Sequence, residues 1–392
     1  MIKTVFSRLT RITSSGLFIP QIDGLRFIAI FLVVTYHLNG KLAQHTVTGP
    51  ISGYFDRIIA NGFQGVELFF VISGFILGLP FAKYYRAHGK KVILKQYFMR
   101  RLTRLEPPFI VITILFFIGY LTFDASYSFK REAGHFFSSL TYLHNLYTST
   151  GFWRMNGVTW SLEIEVQFYI LAPVLALLFK NDNMYVRRIL ILSAIFVLIL
   201  FNSYVFFDFR SIAGYLQFFL AGFFLVDLYL SVEELKVNRY LSFFIGSALL
   251  FVILTIPYHE SLVSECGFVA SIIVFYFLVL KNDFWKQIFS LPILTSIGGM
   301  CYTIYMIHFP IMGALVKLSS KIFHSDNYLL DLFVHAFIVL PVLLLCSSIV
   351  FLLLEKPCMN KEWPKILFRK IRSPQNPCVK MWSWLTERPS GL

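Results

Sequence analysis

Runs of about 20 apolar residues recur along this chain, and they constrain it more than any other feature, because a helix of that length matches the roughly 30 Å hydrocarbon core of a bilayer. Ten spans can be placed by run length, at about residues 24–40, 62–82, 106–124, 160–179, 189–207, 212–230, 240–257, 262–280, 293–316 and 331–354. The composition agrees: 57% of residues are hydrophobic and 14% charged, against about a quarter charged in soluble domains. An outer-membrane barrel would show alternating segments of about ten residues instead. The expected fold class is all-α, a polytopic integral membrane helical bundle of about ten transmembrane helices.

The net charge of +14 does not point to nucleic acid, since the basic residues sit in short segments between apolar runs, without a basic domain or interleaved aromatics. An even number of spans puts both termini on one side. The segments on that side hold 26 of the 35 Lys and Arg and the opposite loops eight, so both termini are expected in the cytoplasm. The cysteines, Cys266, Cys301, Cys346, Cys358 and Cys378, are odd in number and lack CxxC spacing, so neither a metal site nor a disulfide framework is expected. Residues 1–20 carry Lys3, Arg8 and Arg11 without leading to a small-residue cleavage site, and are read as a retained cytoplasmic segment. The membrane domain is placed at 21–358, followed by a basic cytoplasmic tail at 359–392, too short for a second domain.

Polar residues inside the spans carry the functional information. In the first span Arg26 and His37 are eleven positions apart, three helical turns plus roughly 20° and a rise of about 16 Å, so they share one face. Ionisable groups in a membrane helix are costly and face a cavity, a partner or a substrate path. The pair is therefore expected to be the axis of a site, with Arg26 near the cytoplasmic mouth and His37 in the outer half. In the second span, Ser73-Gly74 is a small-residue step at which a helix or a ligand can approach closely. The following inner loop ends in Arg100-Arg101-Leu102-Thr103-Arg104, before Pro107-Pro108 at the expected helix start. Arg101 and Arg104 share a helical face. Attraction to anionic lipid accounts for this charge. A phosphorylated cytoplasmic ligand is the functional alternative, because arginine forks match phosphate.

The outer connection, about 125–159, holds His135, His144, Asn145, Trp153 and Arg154 and is long enough to be functional or re-entrant. Its histidines lack ligand spacing and are expected to face water. Glu163 and Glu165 open the fourth span about 200° apart, so one is expected inside, and the deeper Glu165 is the better intramembrane carboxylate. Spans five to eight read as scaffold, with Arg210 snorkelling at an outer boundary. The ninth span places Tyr302, Tyr305 and His308 on one face. There a helix-to-helix hydrogen bond competes with a cavity-lining role for His308.

Together these stretches resemble the acyltransferase-3 family, bacterial membrane O-acyltransferases that acylate sugars and other hydroxyl-bearing acceptors. The match runs through Asp23-Gly24-Leu25-Arg26 with ten residues before His37, Gly65 to Ile76, Arg101-x-x-Arg104 before Pro107-Pro108, Trp160 to Tyr169, Tyr302 to His308, and Glu355-Lys356-Pro357, over about 20–358. Each motif alone is weak; six in order on ten spans are specific. Glu67 stands where an aspartate is common in the family, and Cys301 where a serine is common. The resemblance implies acyl-CoA, foremost acetyl-CoA, as a cytoplasmic co-substrate, with no bound cofactor. It also implies a carbohydrate or other hydroxyl acceptor, contact with membrane lipid, and a place in the bacterial inner membrane. The His37 position is then essential to transfer, and the Arg26 position to donor binding or site geometry. Catalytic roles are accordingly expected for His37, Arg26 and Glu165, donor contacts for Arg26, Arg101, Arg104 and Ser73, and substrate contacts for His308 and Tyr305. His37 acts either as base toward the acceptor hydroxyl or as a transient acyl carrier. The competing class is a secondary transporter of a small polar solute, whose paths also use membrane-embedded Arg, His and Glu. Transporters tend to repeat broken helices in two matching halves. In this chain the polar residues crowd the first four spans and the ninth.

Overall fold

The computed structural model describes residues 9–11, 18–44, 54–148, 156–205, 210–325, 327–360 and 362–364. Trp153, Arg154, Cys378 and most of the segments 1–20 and 359–392 lie outside the described residues. Among the described residues all regular structure is helical. That follows from the solvent: in lipid, each backbone N–H and C=O must be paired within its own segment. The main helices are α1 (Pro20–Leu42), α2 (Gly65–Arg86), α3 (Leu94–Phe123), α4 (Phe129–Leu140), α5 (His144–Tyr147), α6 (Trp160–Leu175), α7 (Met184–Tyr204), α8 (Leu216–Ser231), α9 (Arg239–Thr255), α10 (Leu262–Lys281), α11 (Asp283–Phe289), α12 (Pro292–Gly299), α13 (Cys301–Ser319) and α14 (Tyr328–Val350). The last of these continues through a π turn, Phe351–Glu355. Among the described residues eight helices are long and apolar enough to cross a membrane, and the shorter apolar α8 and α9 complete the ten expected spans.

Two boundaries differ from the expectation. The third helix starts at Leu94, twelve residues early, because Leu94–Arg104 consists mostly of good helix formers that a hydropathy run does not register. Arg101 and Arg104 therefore stand on the helix itself, and Pro107 and Pro108 lie inside it. Each proline removes one N–H from the ladder. The Thr103 carbonyl that Pro107 leaves unpaired accepts instead from Trp363 Nε1, at 2.9 Å. The ninth span is the second difference. It breaks at Met300 into α12 and α13, after two successive glycines.

Gly298 explains the break. A Cβ there would sit 1.8 Å from the Asp23 carbonyl oxygen, so α12 lies directly on the backbone of α1. From Met300 onward α13 runs alongside α1 in the same direction, with Gly313 next to Lys41 near its far end. Another tight crossing is α2 on α8. A Cβ at Gly74 would meet the Phe219 carbonyl, and one at Gly222 the Val71 carbonyl. Small residues let the backbones meet where lipid supplies no hydrophobic drive between helices. Phe70, Phe219 and Phe168 stack with centroids 4.6 and 4.0 Å apart and tie α2, α8 and α6 together.

The α7–α10 half carries more buried polarity than a scaffold of aliphatic runs suggests. Arg187 pairs with Asp227 at 2.5 Å, Tyr258 donates to Glu67 at 2.6 Å, and Gln217 donates to Glu265 at 2.9 Å. Arg210, expected to snorkel, lies 4.9 Å over the Trp160 ring.

Candidate active site

The shared direction of α1 and α13 brings two histidines together. His308 Nε2 lies 3.1 Å from His37 Nδ1, with ring centroids 5.1 Å apart. On its other side His308 Nδ1 folds back onto its own helix, 2.8 Å from the Tyr305 carbonyl and 3.1 Å from that of Ile304. Both His308 nitrogens are thus engaged within the protein, and the residue is fully buried. His37 is only partly buried, with the edges of Tyr36 and Phe309 against it. The Tyr305 hydroxyl does not reach into open space either. It donates to the Val158 carbonyl at 2.9 Å and meets Ser161 Oγ at 2.5 Å, fastening α13 to the start of α6.

The arginines gather near the start of α1. Asp23, almost completely buried, accepts from Arg26 at 2.7 Å and from Arg11 at 2.8 Å, which fixes the Arg26 guanidinium about one turn beyond Asp23. Arg101 stacks 3.6 Å over Tyr97, faces Tyr169 at 5.4 Å, and donates to the Tyr97 carbonyl at 2.7 Å. Arg104 lies 3.7 Å from Glu355, the residue that the π turn of α14 swings inward. Glu355 also accepts from the Thr303 hydroxyl, at 2.6 Å. A π turn inside a membrane helix is rare and tends to mark function.

Glu165 sits with this group. Ser73 donates to it at 2.7 Å, and it lies among Tyr169, Arg26 and Arg101. Of the residues expected to form a site, the structure therefore brings Arg26, Arg101, Arg104, Ser73 and Glu165 into one cluster. It brings His37, His308 and Tyr305 into another, farther along α1. Arg11, Arg26, Arg101 and Arg104 thus gather with Asp23, Glu165 and Glu355.

Glu163 is also interior, contrary to the expectation that one glutamate would be. It points the opposite way from Glu165 and accepts the backbone N–H groups of His144 at 3.0 Å and Asn145 at 2.8 Å. Those N–H groups stand at the start of α5, where the helix itself supplies no acceptor, and Glu163 takes that place. His144, expected to face water, is buried and bonded to His135 at 3.0 Å. Burial first, and His135 second, pull the His144 imidazole down to about 4, so it is neutral at physiological pH. In the same connection the Tyr142 hydroxyl donates to Glu106 at 2.9 Å. Burial and that carboxyl hold the hydroxyl well above its ordinary value, and it stays a donor.

Sequence reasoning gave no site role to Asp23, Arg11, Glu355 or Tyr169, although Asp23, Tyr169 and Glu355 lie in the motifs quoted above. Asp23 also left a geometric signal, an acid three residues before Arg26 on the same helical face.

Comparison with known proteins bears on what this arrangement does. The acyltransferase domain family model matches residues 19–352. Peptidoglycan O-acetyltransferase OatA of Listeria monocytogenes is 29% identical over 47% of this chain and 29% of its own length. O-acetyltransferase OatA of Staphylococcus aureus is 32% identical over 43% of this chain and 26% of its own. A further Staphylococcus aureus protein, provisionally named an O-acetyltransferase, is 30% identical over 76% of this chain and 51% of its own. The chain thus spans about a quarter to a half of the length of these curated relatives. No solved structure matches it.

Proposed function

The chain belongs to the acyltransferase-3 family, and from that premise we propose that it is a membrane-embedded O-acyltransferase with His37 as its base. The donor is cytoplasmic acyl-CoA, acetyl-CoA foremost, and the acceptor is a hydroxyl of a cell-surface or exported carbohydrate. The observation that carries this reading is the single face of α1. Near its start Arg26 sits in a cluster of four guanidiniums, and about 16 Å along the same face stands a partly exposed imidazole. A nucleotide with several phosphates suits the first, and a long flexible thioester arm suits the distance to the second.

The steps follow from those positions. His37 takes the proton of the acceptor hydroxyl as its oxygen attacks the thioester carbonyl carbon, a C–O bond forms, and the carbonyl electrons move onto oxygen. Collapse of that oxyanion breaks the C–S bond. The departing CoA thiolate takes the proton from His37, so thiol and ester leave and the imidazole returns to its starting state. Arg26, Arg101 and Arg104 hold the donor phosphates. Glu165, with Ser73 and Tyr169, keeps Arg26 and Arg101 in place between turnovers. The bias of 26 Lys and Arg on one side against eight on the other supports a bacterial inner-membrane protein with both termini cytoplasmic.

Purified protein in nanodiscs, supplied with radiolabelled acetyl-CoA and a soluble oligosaccharide, tests this. His37→Ala is expected to lower transfer by about 10²–10⁴-fold, the usual worth of a general base. Solute uptake without donor turnover, indifferent to that change, would make the protein a transporter instead.

A further inference from the structure

We infer that His308 is a positioning residue that fixes the tautomer of His37 and leaves Nε2 as the basic nitrogen of the site. The inference rests on the reading of His37 as the base. It follows from which atoms are able to donate. The two groups within reach of His308 Nδ1 are the carbonyls of Tyr305 and Ile304, at 2.8 and 3.1 Å, and a carbonyl only accepts. Nδ1 of His308 therefore carries the hydrogen. In the neutral ring its Nε2 is then a bare acceptor, and among the described residues no carboxylate is hydrogen-bonded to His308 to hold a second proton.

That acceptor lies 3.1 Å from His37 Nδ1. Two bare nitrogens would leave both unpaired, so His37 Nδ1 must be the N–H. A neutral imidazole has one N–H, and His37 Nε2 is left with the lone pair.

The orientation matters because a free imidazole prefers the opposite tautomer, with its proton on Nε2. His37 Nδ1 faces His308 and its own helix, so Nε2 is the nitrogen with a route to an acceptor hydroxyl. Without His308 the ring would carry a proton on the atom that has to take one. The chain of bonds from the Tyr305 carbonyl through His308 to His37 sets that state before substrate arrives, and α13 is itself held by the Tyr305 hydroxyl on Val158. Once His37 is protonated, its Nδ1–H bond to His308 becomes charge-assisted and steadies the imidazolium.

The test combines kinetics with ¹⁵N NMR of histidine-labelled protein in nanodiscs, the His37 signals being identified by their loss in His37→Gln. Wild-type His37 is expected to show a protonated Nδ1 and a bare Nε2. His308→Leu, which removes the acceptor at similar volume, should move the proton to Nε2. It should also lower kcat at least tenfold while KM for acetyl-CoA stays within about twofold, because the arginine cluster is untouched. His308→Gln offers a carboxamide oxygen in place of Nε2 and should recover the tautomer and most of kcat. A protonated Nε2 in wild-type His37, or a folded His308→Leu with kcat within twofold of wild type, overturns the inference. If His308→Leu does not fold, the wild-type spectrum decides alone. Full activity in His37→Ala would instead sink the reading of His37 as base, whatever His308 does.

Discussion

At the scale of single residues, the cost of placing charge in the membrane selects for partners, and Asp23 shows how. Its carboxylate lies between Arg26 and Arg11 and is 1% exposed. A buried ion pair contributes little net stability when intact, but losing one member leaves the other uncompensated, at about 3–5 kcal/mol. Asp23→Asn strands two guanidiniums. It is expected to lower the melting temperature in detergent markedly and to weaken acyl-CoA binding through a displaced Arg26; Asp23→Glu should keep most of both. Thermal unfolding and KM for acetyl-CoA measure the two effects, and a silent Asp23→Asn would show that Arg26 is held by something else. This residue was within reach of sequence reasoning, as were Arg26 and His37, because one helix carries all three and its pitch alone relates them. Glu355 and Arg104 lie on different helices and meet only through the π turn after Val350, so no spacing in the chain announces their pairing.

At the scale of elements, hydropathy made the spans legible and left their ends open. Leu94–Arg104 extends α3 because helix propensity, not apolarity, governs a stretch beyond the hydrocarbon. The break at Met300 arises because Gly298 has to lie on the backbone of α1, a contact between segments far apart in sequence. That contact also sets which residue of α13 stands opposite His37. Gly298→Val would force α12 off α1, since its Cβ would fall 1.8 Å from the Asp23 oxygen. Overpacking of this kind costs about 1–3 kcal/mol or more, and the relief available, sliding or splaying α13, pulls His308 away from His37. The expected outcome is a lower melting temperature with transfer lost beyond what the unfolded fraction explains. Gly119 is the matched control: a Cβ there meets nothing within 4 Å. Gly119→Ala should be neutral or stabilise by up to about 1 kcal/mol through helix propensity. Equal behaviour of the two variants would show that the close approach at Gly298 does not hold the histidines in register.

At the scale of the whole molecule, function divides the bundle. Residues of the two clusters come from α1, α2, α3, α6, α13 and the end of α14, while α7–α10 brace α2 through the Gly74–Gly222 crossing. That division was visible in where the polar residues crowd, although the buried Glu67, Glu265 and Arg187 pairs of the bracing half were not, since each needs a partner from another helix. What remains to be tested is direction, and the function depends on it. The Lys83–Arg104 segment leads into α3 at one end, and the turn after Phe123 lies at that helix's other end. If charge bias sets the topology, the arginines meet cytoplasmic acyl-CoA and His37 lies toward the side where exported carbohydrate is found. Lys90, between α2 and α3, and Ser126, between α3 and α4, are both exposed and fall on opposite faces. In a background with the native cysteines replaced by serine, a membrane-impermeant maleimide applied to intact spheroplasts should label Ser126→Cys at once. Lys90→Cys should react only after permeabilisation. The reverse pattern would put the guanidiniums outside, where no acyl-CoA pool exists, and would end the proposed donor assignment while leaving the fold and the histidine pair as they stand.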